Sequence, residues 1–337
     1  MTTLPTAPLG RTGMEITRVG FGAWAVGGPG WASGWGPQDD EESVAAIRHA
    51  VEQGVNWIDT ASVYGLGHSE EVVARALEPF SEADRPFVFT KGGLLWDDDD
   101  RRRKPQRVGD PAVLRRQVED SLRRLRVERI DLYQMHRPAE DGRGVADYWP
   151  VFQELVAQGT VRAVGLSNHD VAGLRAANEI GRVDSVQPRF SLLHREAALD
   201  VLPWCAAHDA GAIVYSPMAS GLLTGSFTAE RAQALDEDDW RRRSPDFTGE
   251  GLRCSLRLAD ALRTVAERHG VTVGAVAIAW TLVFPGVSGA IVGARRPQQV
   301  DGWVPTAGLR LTREDLSTIA EALRRWGRGP GPLGPAA

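Results

Sequence analysis

Four residues that can hold or transfer a proton follow short apolar runs of this sequence: Asp59, Tyr64, Lys91 and His136. Lys91 is the most unusual of them, because it and Lys104 are the only lysines among 39 basic residues. An ammonium is a compact charge whose pKa can shift, whereas a guanidinium is planar and stays protonated. Lys91 also ends an apolar run that is typical of a buried strand. It is therefore the first candidate for a chemical role.

The chemistry that this set can perform is proton donation to a carbonyl oxygen. A tyrosine has an unperturbed pKa of about 10, and a nearby lysine ammonium is expected to lower it. Asp59 would hold Lys91 in place, and His136 would offer a second hydrogen bond at the reacting oxygen. Taken singly, the four have ordinary alternatives, namely a helix cap, a loop aromatic, a lysine paired at the surface and a buried core histidine.

Protonation of an oxygen requires a second group that attacks the carbon, and a hydride from a nicotinamide would suit. The sequence shows no serine or cysteine in a pattern typical of a catalytic nucleophile. It also shows no cluster of metal-binding residues, so no metal is predicted. The segment 20–25, Gly-Phe-Gly-Ala-Trp-Ala, lacks the last glycine of the dinucleotide-binding fingerprint, which disfavours a Rossmann domain.

Short strand-like runs alternate with amphipathic helical runs between about residues 15 and 305. Eight such strands joined by helices predict an α/β fold, a (β/α)8 TIM barrel, in which catalytic residues lie at the carboxyl ends of the strands. The predicted strands are 17–22, 55–59, 87–91, 130–136, 161–167, 183–188, 212–216 and 289–292. The predicted helices include 41–53, 69–77, 111–126 and 256–269.

The barrel is expected to form a single domain over residues 1–326. Residues 8–16 predict a hairpin before the barrel, and residues 327–337, rich in Gly and Pro, predict a disordered tail. A longer loop, 224–251, follows the seventh strand. This loop could be a mobile cover over a site or a solvated surface loop, and the sequence does not distinguish between the two.

Composition indicates a soluble, cytoplasmic protein of 337 residues, with 42% hydrophobic and 25% charged residues. The net charge of −5 is unsuited to nucleic acid or an anionic membrane. Cys205 and Cys254 are too few for a disulfide framework, and the amino terminus shows no secretion signal.

The motifs that carry these residues resemble those of the aldo-keto reductase superfamily, in the style of bacterial general reductases and potassium-channel β subunits. The resemblance covers roughly residues 7 to 325 and implies NADPH bound across the barrel mouth, an ordered mechanism and transfer of the pro-R hydride. The matching motifs are 54–65 with Asp59 and Tyr64, Thr90-Lys91, 131–138 with His136, Gly165–Asn168, Gln187, 215–225 and 291–299.

The resemblance also implies which residues bind the cofactor. Those at the nicotinamide and the pyrophosphate are Ser167, Asn168, Gln187, Tyr215, Ser216, Pro217, Gly221 and Leu223. Those at the adenosine end are Gly293, Arg295 and Gln299, with Arg295 beside the 2′-phosphate. The sequence departs from the family at Val292 and Trp303, so NAD remains open as a cofactor.

Substrate recognition is assigned to tryptophans in rim loops. Trp24 matches a pocket aromatic of the family, and Trp31, Trp35 and Trp96 lie in predicted loops of the same face. Such a mouth suits apolar or aromatic aldehydes, or the faces of sugars. The charged run 97–104 is interpreted as a solvated, self-paired loop, with steering of a charged substrate as the alternative.

The predicted function is NADP(H)-dependent reduction of a small-molecule carbonyl substrate, with Tyr64 as the general acid. One alternative is a regulatory protein of the channel-β type that binds NADPH with little turnover. Another is a Schiff-base aldolase acting through Lys91. No nucleic-acid or membrane partner is predicted, and monomer and homo-oligomer both remain open.

Overall fold

Eight parallel strands form a closed barrel surrounded by helices, as the alternation of strands and helices predicts. The computed structural model describes residues 3–237 and 239–335. Strands that follow each other along the chain are neighbours in the barrel, and β8 pairs with β1 to close it. The barrel strands β1 to β8 are Val19–Gly22, Trp57–Asp59, Phe87–Gly92, Ile130–Met135, Val161–Ser167, Ser185–Gln187, Gly211–Tyr215 and Val287–Gly293.

The α-helices lie mostly outside the barrel, and none of those described is long and apolar enough to cross a membrane. In chain order, α1 to α12 are Asp40–Glu52, His68–Leu77, Pro111–Leu125, Val145–Ala157, Val171–Ile180, Val201–Ala207, Ala229–Gln233, Gly249–Ala261, Arg263–His269, Val273–Leu282, Pro297–Asp301 and Arg313–Trp326. Short 3-10 turns span Ala25–Gly27, Glu196–Ala198, Ala219–Thr224, Trp240–Arg243, Pro245–Phe247 and Val304–Gly308.

Helix starts follow local capping chemistry. Asp110 caps α3 as predicted, because its carboxylate accepts hydrogen bonds from the Ala112 and Val113 N–H groups at 2.9 and 3.2 Å. The helix predicted to begin at Ser69 begins at His68 instead. It follows Gly67, whose φ of 101° suits glycine. The Ser69 hydroxyl is therefore free to donate to the Ala23 carbonyl at 2.8 Å, which ties α2 to the chain beyond β1.

The predicted amino-terminal hairpin is present and closes one end of the barrel. Strand Thr6–Pro8 pairs antiparallel with Glu15–Thr17, so the extended run predicted from residue 17 is divided between this hairpin and β1. Leu9 of the hairpin is fully buried and packs with Trp57 and Phe89 inside the barrel. This apolar plug leaves the opposite end of the barrel open.

Three segments differ from the sequence-based description. The loop 224–251 contains α7 and two 3-10 turns, and the helix predicted at 256–269 is divided into α8 and α9. Residues 327–335 of the tail lie against the barrel, where Arg195 donates hydrogen bonds to the carbonyls of Arg328 and Gly329 at 3.2 and 2.8 Å. These hydrogen bonds from the buried Arg195 hold in place a stretch that its composition predicts to be disordered. The last two residues of the predicted tail lie outside the described part of the chain.

Candidate active site

An ion pair between Lys91 and Asp59 lies at the centre of the open end. Each residue is in the last two positions of its strand, and both are buried. Lys91 Nζ donates to Asp59 Oδ1 at 2.5 Å and to the Thr60 carbonyl at 2.8 Å. Burial raises the pKa of Asp59 and lowers the pKa of Lys91, while their mutual attraction opposes both shifts.

Two amides complete the surroundings of this ion pair. Gln187 Nε2 donates to Asp59 Oδ2 at 2.8 Å, and Gln134 Nε2 approaches the same oxygen at 3.4 Å. Sequence reasoning assigned Gln187 to the cofactor and missed Gln134. Gln134 could have been predicted from the sequence, because it precedes His136 by two residues and side chains two apart in a strand point to the same face. Four strands thus converge on one carboxylate.

Tyr64 and His136 face each other beside the ion pair. Their rings make an edge-to-face contact with centroids 5.6 Å apart, and Lys91 Nζ is 5.2 Å from the centroid of the Tyr64 ring. The loop that carries Tyr64 turns at Gly65, where a Cβ atom would lie 2.1 Å from the Gly27 carbonyl oxygen. Glycine is required there to bring this loop against the Ala25–Gly27 turn.

The pKa of Tyr64 differs from the sequence-based expectation. Burial, and then the charge of Asp59, raise the pKa of Tyr64 well above its ordinary value, and only Arg137 among the main neighbours opposes this. The expectation that this pKa lies below its ordinary value is therefore wrong for the protein alone, because burial and the charge of Asp59 outweigh the nearby ammonium. Burial, then Lys91 and Arg137, hold the pKa of His136 well below its ordinary range, so its imidazole is neutral.

The residues assigned to the nicotinamide form a polar wall next to His136. Asn168 lies just past β5 with a left-handed φ of 62°. Its Nδ2 donates to the His136 carbonyl at 3.1 Å and to Ser167 Oγ at 2.9 Å, and its Oδ1 accepts from the Tyr215 hydroxyl at 2.7 Å. This network fixes the Tyr215 ring at the cavity wall, where a planar ring can stack on it.

The segment after β7 has a strained backbone. Ser216, Ala219, Ser220 and Gly221 all have positive φ values, between 48° and 104°. Non-glycine residues rarely adopt this region, and consecutive turns of this kind direct backbone N–H groups to one side. Ser216, Pro217 and Gly221 line the cavity, but Leu223 does not: it is fully buried in the core.

The residues assigned to the adenosine end also lie together. Arg295 Nε donates to Gln38 Oε1 at 2.5 Å, and its guanidinium also contacts the Pro37 carbonyl. Gln299 Oε1 accepts from the Arg295 N–H at 2.7 Å. Arg295 forms no ion pair with any carboxylate of the described residues, and sequence reasoning did not identify Gln38. Gly293 and Trp303 line the same end of the cavity.

An aromatic cover extends over the cavity from the loop after β7. Trp240 stacks on Trp24 with centroids 5.4 Å apart, and Arg241 lies 4.6 Å from the centre of the Trp35 ring. Arg241 is itself paired with the buried Asp239. Sequence reasoning left the role of this loop open; in the structure it packs onto the rim tryptophans.

The four rim tryptophans considered for the substrate have different positions, and Trp35 lines the cavity. Trp24 and Trp31 line the cavity, although Trp31 is only 5% exposed. Trp96 does not line it; its ring nitrogen donates to Asp98 Oδ1 at 2.9 Å, near the surface. The cavity has a volume of about 740 Å³ and opens at the carboxyl ends of the strands. Among the described residues, no group of three His, Cys, Asp or Glu could hold a metal ion.

Comparisons with known proteins agree with this geometry. A sequence model described as "Aldo/keto reductase family" matches residues 18–324. Aldo-keto reductase YhdN of Bacillus subtilis is 34% identical over 92% of both chains. The NADH-specific methylglyoxal reductase of Escherichia coli is 31% identical over 94% of this chain and 99% of its own.

Solved structures show the same relationship. The glycerol dehydrogenase AKR11B4 from Gluconobacter oxydans superposes with a TM-score of 0.86 at 36% identity, over 99% of each chain. Aldo-keto reductase AKR11C1 from Bacillus halodurans, at 22% identity and a TM-score of 0.76, shares the fold. The chain belongs to the aldo-keto reductase family, whose members are oxidoreductases that use nicotinamide cofactors.

Proposed function

We propose that this protein reduces aldehydes or ketones to alcohols with NADPH, and that Tyr64 donates the proton. The observation that carries the proposal is the convergence of Tyr64, His136 and the Lys91–Asp59 ion pair on one wall of a single cavity. Such a set supplies a proton and hydrogen bonds at one point, as reduction of a carbonyl oxygen requires. The relatives named for methylglyoxal and glycerol support a small carbonyl or alcohol as substrate.

The residues present fit a nicotinamide cofactor. The polar wall of Ser167, Asn168 and Gln187 offers amide and hydroxyl groups suited to a carboxamide, and Tyr215 offers a ring for stacking. When bound, the reduced nicotinamide supplies the hydride that the carbonyl carbon accepts.

The protein's own residues manage the proton. The Tyr64 O–H bond breaks as the O–H bond of the product alcohol forms, and the raised pKa of Tyr64 keeps this hydroxyl protonated until then. The lowered pKa of His136 keeps its imidazole neutral. His136 therefore donates a hydrogen bond to the carbonyl oxygen and does not compete with Tyr64 as an acid. Lys91, 5.2 Å from the Tyr64 ring, stabilises the negative charge left on the phenol oxygen.

The preference for NADPH is supported by Arg295, which has no carboxylate partner among the described residues. A guanidinium whose neighbours are the carbonyl and amide oxygens of Pro37 and Gln38 keeps its charge available for a phosphate. One relative is described as NADH-specific. The choice between NADPH and NADH is therefore measured separately from carbonyl reduction.

The decisive variant is Tyr64→Phe, which removes the hydroxyl and keeps the ring. We expect kcat for an aldehyde to fall by roughly 10²–10⁴, with NADPH affinity, measured by quenching of tryptophan fluorescence, close to that of the unmodified protein. Tyr133→Phe is the matched control, because the Tyr133 hydroxyl is buried, does not line the cavity and has no hydrogen-bond partner among the described residues.

Retention of most activity in Tyr64→Phe would transfer the role of acid to another group. If the unmodified protein oxidised neither NADPH nor NADH with any aldehyde or ketone, the proposed function itself would be wrong.

A further inference from the structure

The charges around the cavity are strongly unbalanced. The only carboxylate among the described residues that line it is Asp59, which is already paired with Lys91. The cations that line it are Lys104, Arg107, Arg137, Arg231, Arg241 and Arg295. A concave site with one sign of charge attracts ligands of the opposite sign.

These cations form two groups at different strands. Arg231, Arg241 and Arg295 belong to the segments after β7 and β8, at the end that we assign to the anionic cofactor. The other three follow β3 and β4, on the side of Tyr64 and Trp31. The phosphates of a cofactor account for the first group and leave the second unexplained.

Two members of the second group have no partner among the described residues. Arg107 is paired with Glu140. By contrast, neither Lys104 nor Arg137 forms an ion pair or a hydrogen bond from its side chain with the described residues. None of the four aspartates at positions 97–100 forms an ion pair with Lys104; Asp97 pairs with Arg103, and Asp98 accepts a hydrogen bond from Trp96.

Arg137 is the more informative of the two. It directly follows His136, is partly buried, and is close enough to lower the pKa of His136 and to oppose the raised pKa values of Tyr64 and Tyr215. A partly desolvated guanidinium without a counter-ion is unfavourable by itself, and a bound carboxylate would compensate it with paired hydrogen bonds.

Apolar side chains line the cavity beside the reacting groups. Trp31 and Leu94 pack with Val63 in one cluster, against which the Tyr64 ring also packs. A substrate there would place its carbonyl at Tyr64 and His136, its apolar body along Trp31 and Leu94, and an acidic group at the two cations.

We propose that Arg137 and Lys104 form a carboxylate-binding subsite, so that the preferred substrates are aldehydes or ketones that carry a carboxylate. This inference rests on the proposed carbonyl reduction and names its substrate class. The reaction itself is unchanged: the carbon gains a hydride, the oxygen gains a proton, and the carboxylate remains intact.

The test compares two probes of similar shape, para-carboxybenzaldehyde and its neutral amide, para-carbamoylbenzaldehyde. With the unmodified enzyme we expect kcat/KM to be about 10- to 100-fold higher for the acid, the range that a charge-assisted hydrogen bond contributes. Raising the salt concentration should reduce this ratio, because salt screens exposed charges.

Variants then assign the preference to residues. Arg137→Gln should bring the ratio of the two kcat/KM values close to one, Lys104→Gln should lower it less, and Arg137→Lys should restore part of it. Arg116→Gln is the control, since Arg116 is an exposed arginine of α3 outside the cavity and its loss removes the same charge. Cofactor affinity, measured for each variant by fluorescence, reports whether the variant is folded.

Each outcome separates the subsite from the function. Reduction of the amide as fast as the acid, or an unchanged ratio in Arg137→Gln, would overturn the subsite and leave carbonyl reduction standing. A loss of NADPH affinity in Arg137→Gln with an unchanged ratio would assign Arg137 to the cofactor and would also overturn the subsite. Failure to reduce any carbonyl compound would remove both proposals.

Discussion

Lys91 is a residue whose chemistry depends on its size as much as on its charge. It is fully buried, and its ammonium fits between Asp59 Oδ1 and the Thr60 carbonyl, at 2.5 and 2.8 Å. A guanidinium at this position would be larger, and its five N–H donors would outnumber the two acceptors that Lys91 uses. The rarity of lysine in this chain is consistent with such a constraint.

We therefore expect Lys91→Arg to lower kcat strongly, by roughly 10²-fold or more, if the ammonium stabilises the phenol oxygen. Overpacking should also lower the free energy of unfolding by about 1–3 kcal/mol. Lys91→Met removes the charge and leaves Asp59 buried and unpaired, which should cost about 3–5 kcal/mol. Steady-state kinetics and urea unfolding measure both effects; a folded Lys91→Arg enzyme with normal kcat would reduce Lys91 to a simple counter-ion.

Arg295 allows a second test at the scale of one residue. Arg295→Gln should weaken NADPH binding by about 10- to 150-fold, corresponding to the loss of a charge-assisted hydrogen bond. NADH affinity should change much less, because NADH has no 2′-phosphate. Arg296→Gln, at the exposed neighbouring position, serves as the control. Equal losses for both cofactors, or a larger loss in the Arg296 variant, would place the phosphate elsewhere.

At the scale of elements, the carboxyl end of β5 is held by a buried hydrogen-bond chain that sequence reasoning did not detect. His169 Nδ1 lies 2.9 Å from the Ser167 carbonyl, and its Nε2 lies 2.7 Å from the Tyr148 hydroxyl of α4. Since a carbonyl only accepts, Nδ1 carries the proton and Nε2 accepts from the hydroxyl. This chain fixes the backbone beside Asn168, and hence the proposed nicotinamide wall.

Burial lowers the pKa of His169 to about 4. The unfolded chain binds a proton near pH 6.5 and the folded protein does not, so this contribution to stability is present above pH 6.5 and is lost as the pH falls toward 4. Between pH 7 and pH 5 the loss amounts to about 2 kcal/mol. His169→Gln lacks this titration, so the difference in unfolding free energy between the two proteins should shrink by that amount at pH 5. Parallel urea-unfolding results at both pH values would contradict the assignment.

At the scale of the whole molecule, the two ends of the barrel have separate tasks. The hairpin plugs one end with Leu9, Met14 and Ile16, all fully buried, while the polar residues gather at the other. Loop variation at the open end can change the chemistry without disturbing the plug, which is the usual division of labour in this fold.

Leu9→Ala should therefore destabilise the protein by about 2–5 kcal/mol through a cavity in the plug, and should leave the KM for an aldehyde near its normal value. Leu199→Ala is the control: this side chain is 60% exposed, and its loss should change stability by less than about 0.5 kcal/mol. A changed KM in folded Leu9→Ala would show that the plug and the site are coupled.

The sequence by itself determined the eight-stranded barrel, the hairpin and the positions of Asp59, Tyr64, Lys91 and His136. These depend on apolar periodicity and on residues at strand ends, which are local signals. Strand boundaries fell within two residues of the observed ones for the same reason.

Only the tertiary structure decided which groups meet and in what electrostatic surroundings. The amides of Gln134 and Gln187 at Asp59, the stack of Trp240 on Trp24 and the effect of Arg137 on the pKa of Tyr64 all join segments far apart in the chain. Hydrogen bonds and burial depend on distances between such segments, and a pKa depends on every charge within reach. No local pattern specifies those distances, because they follow from how the strands close into a barrel and how the loops pack across its mouth.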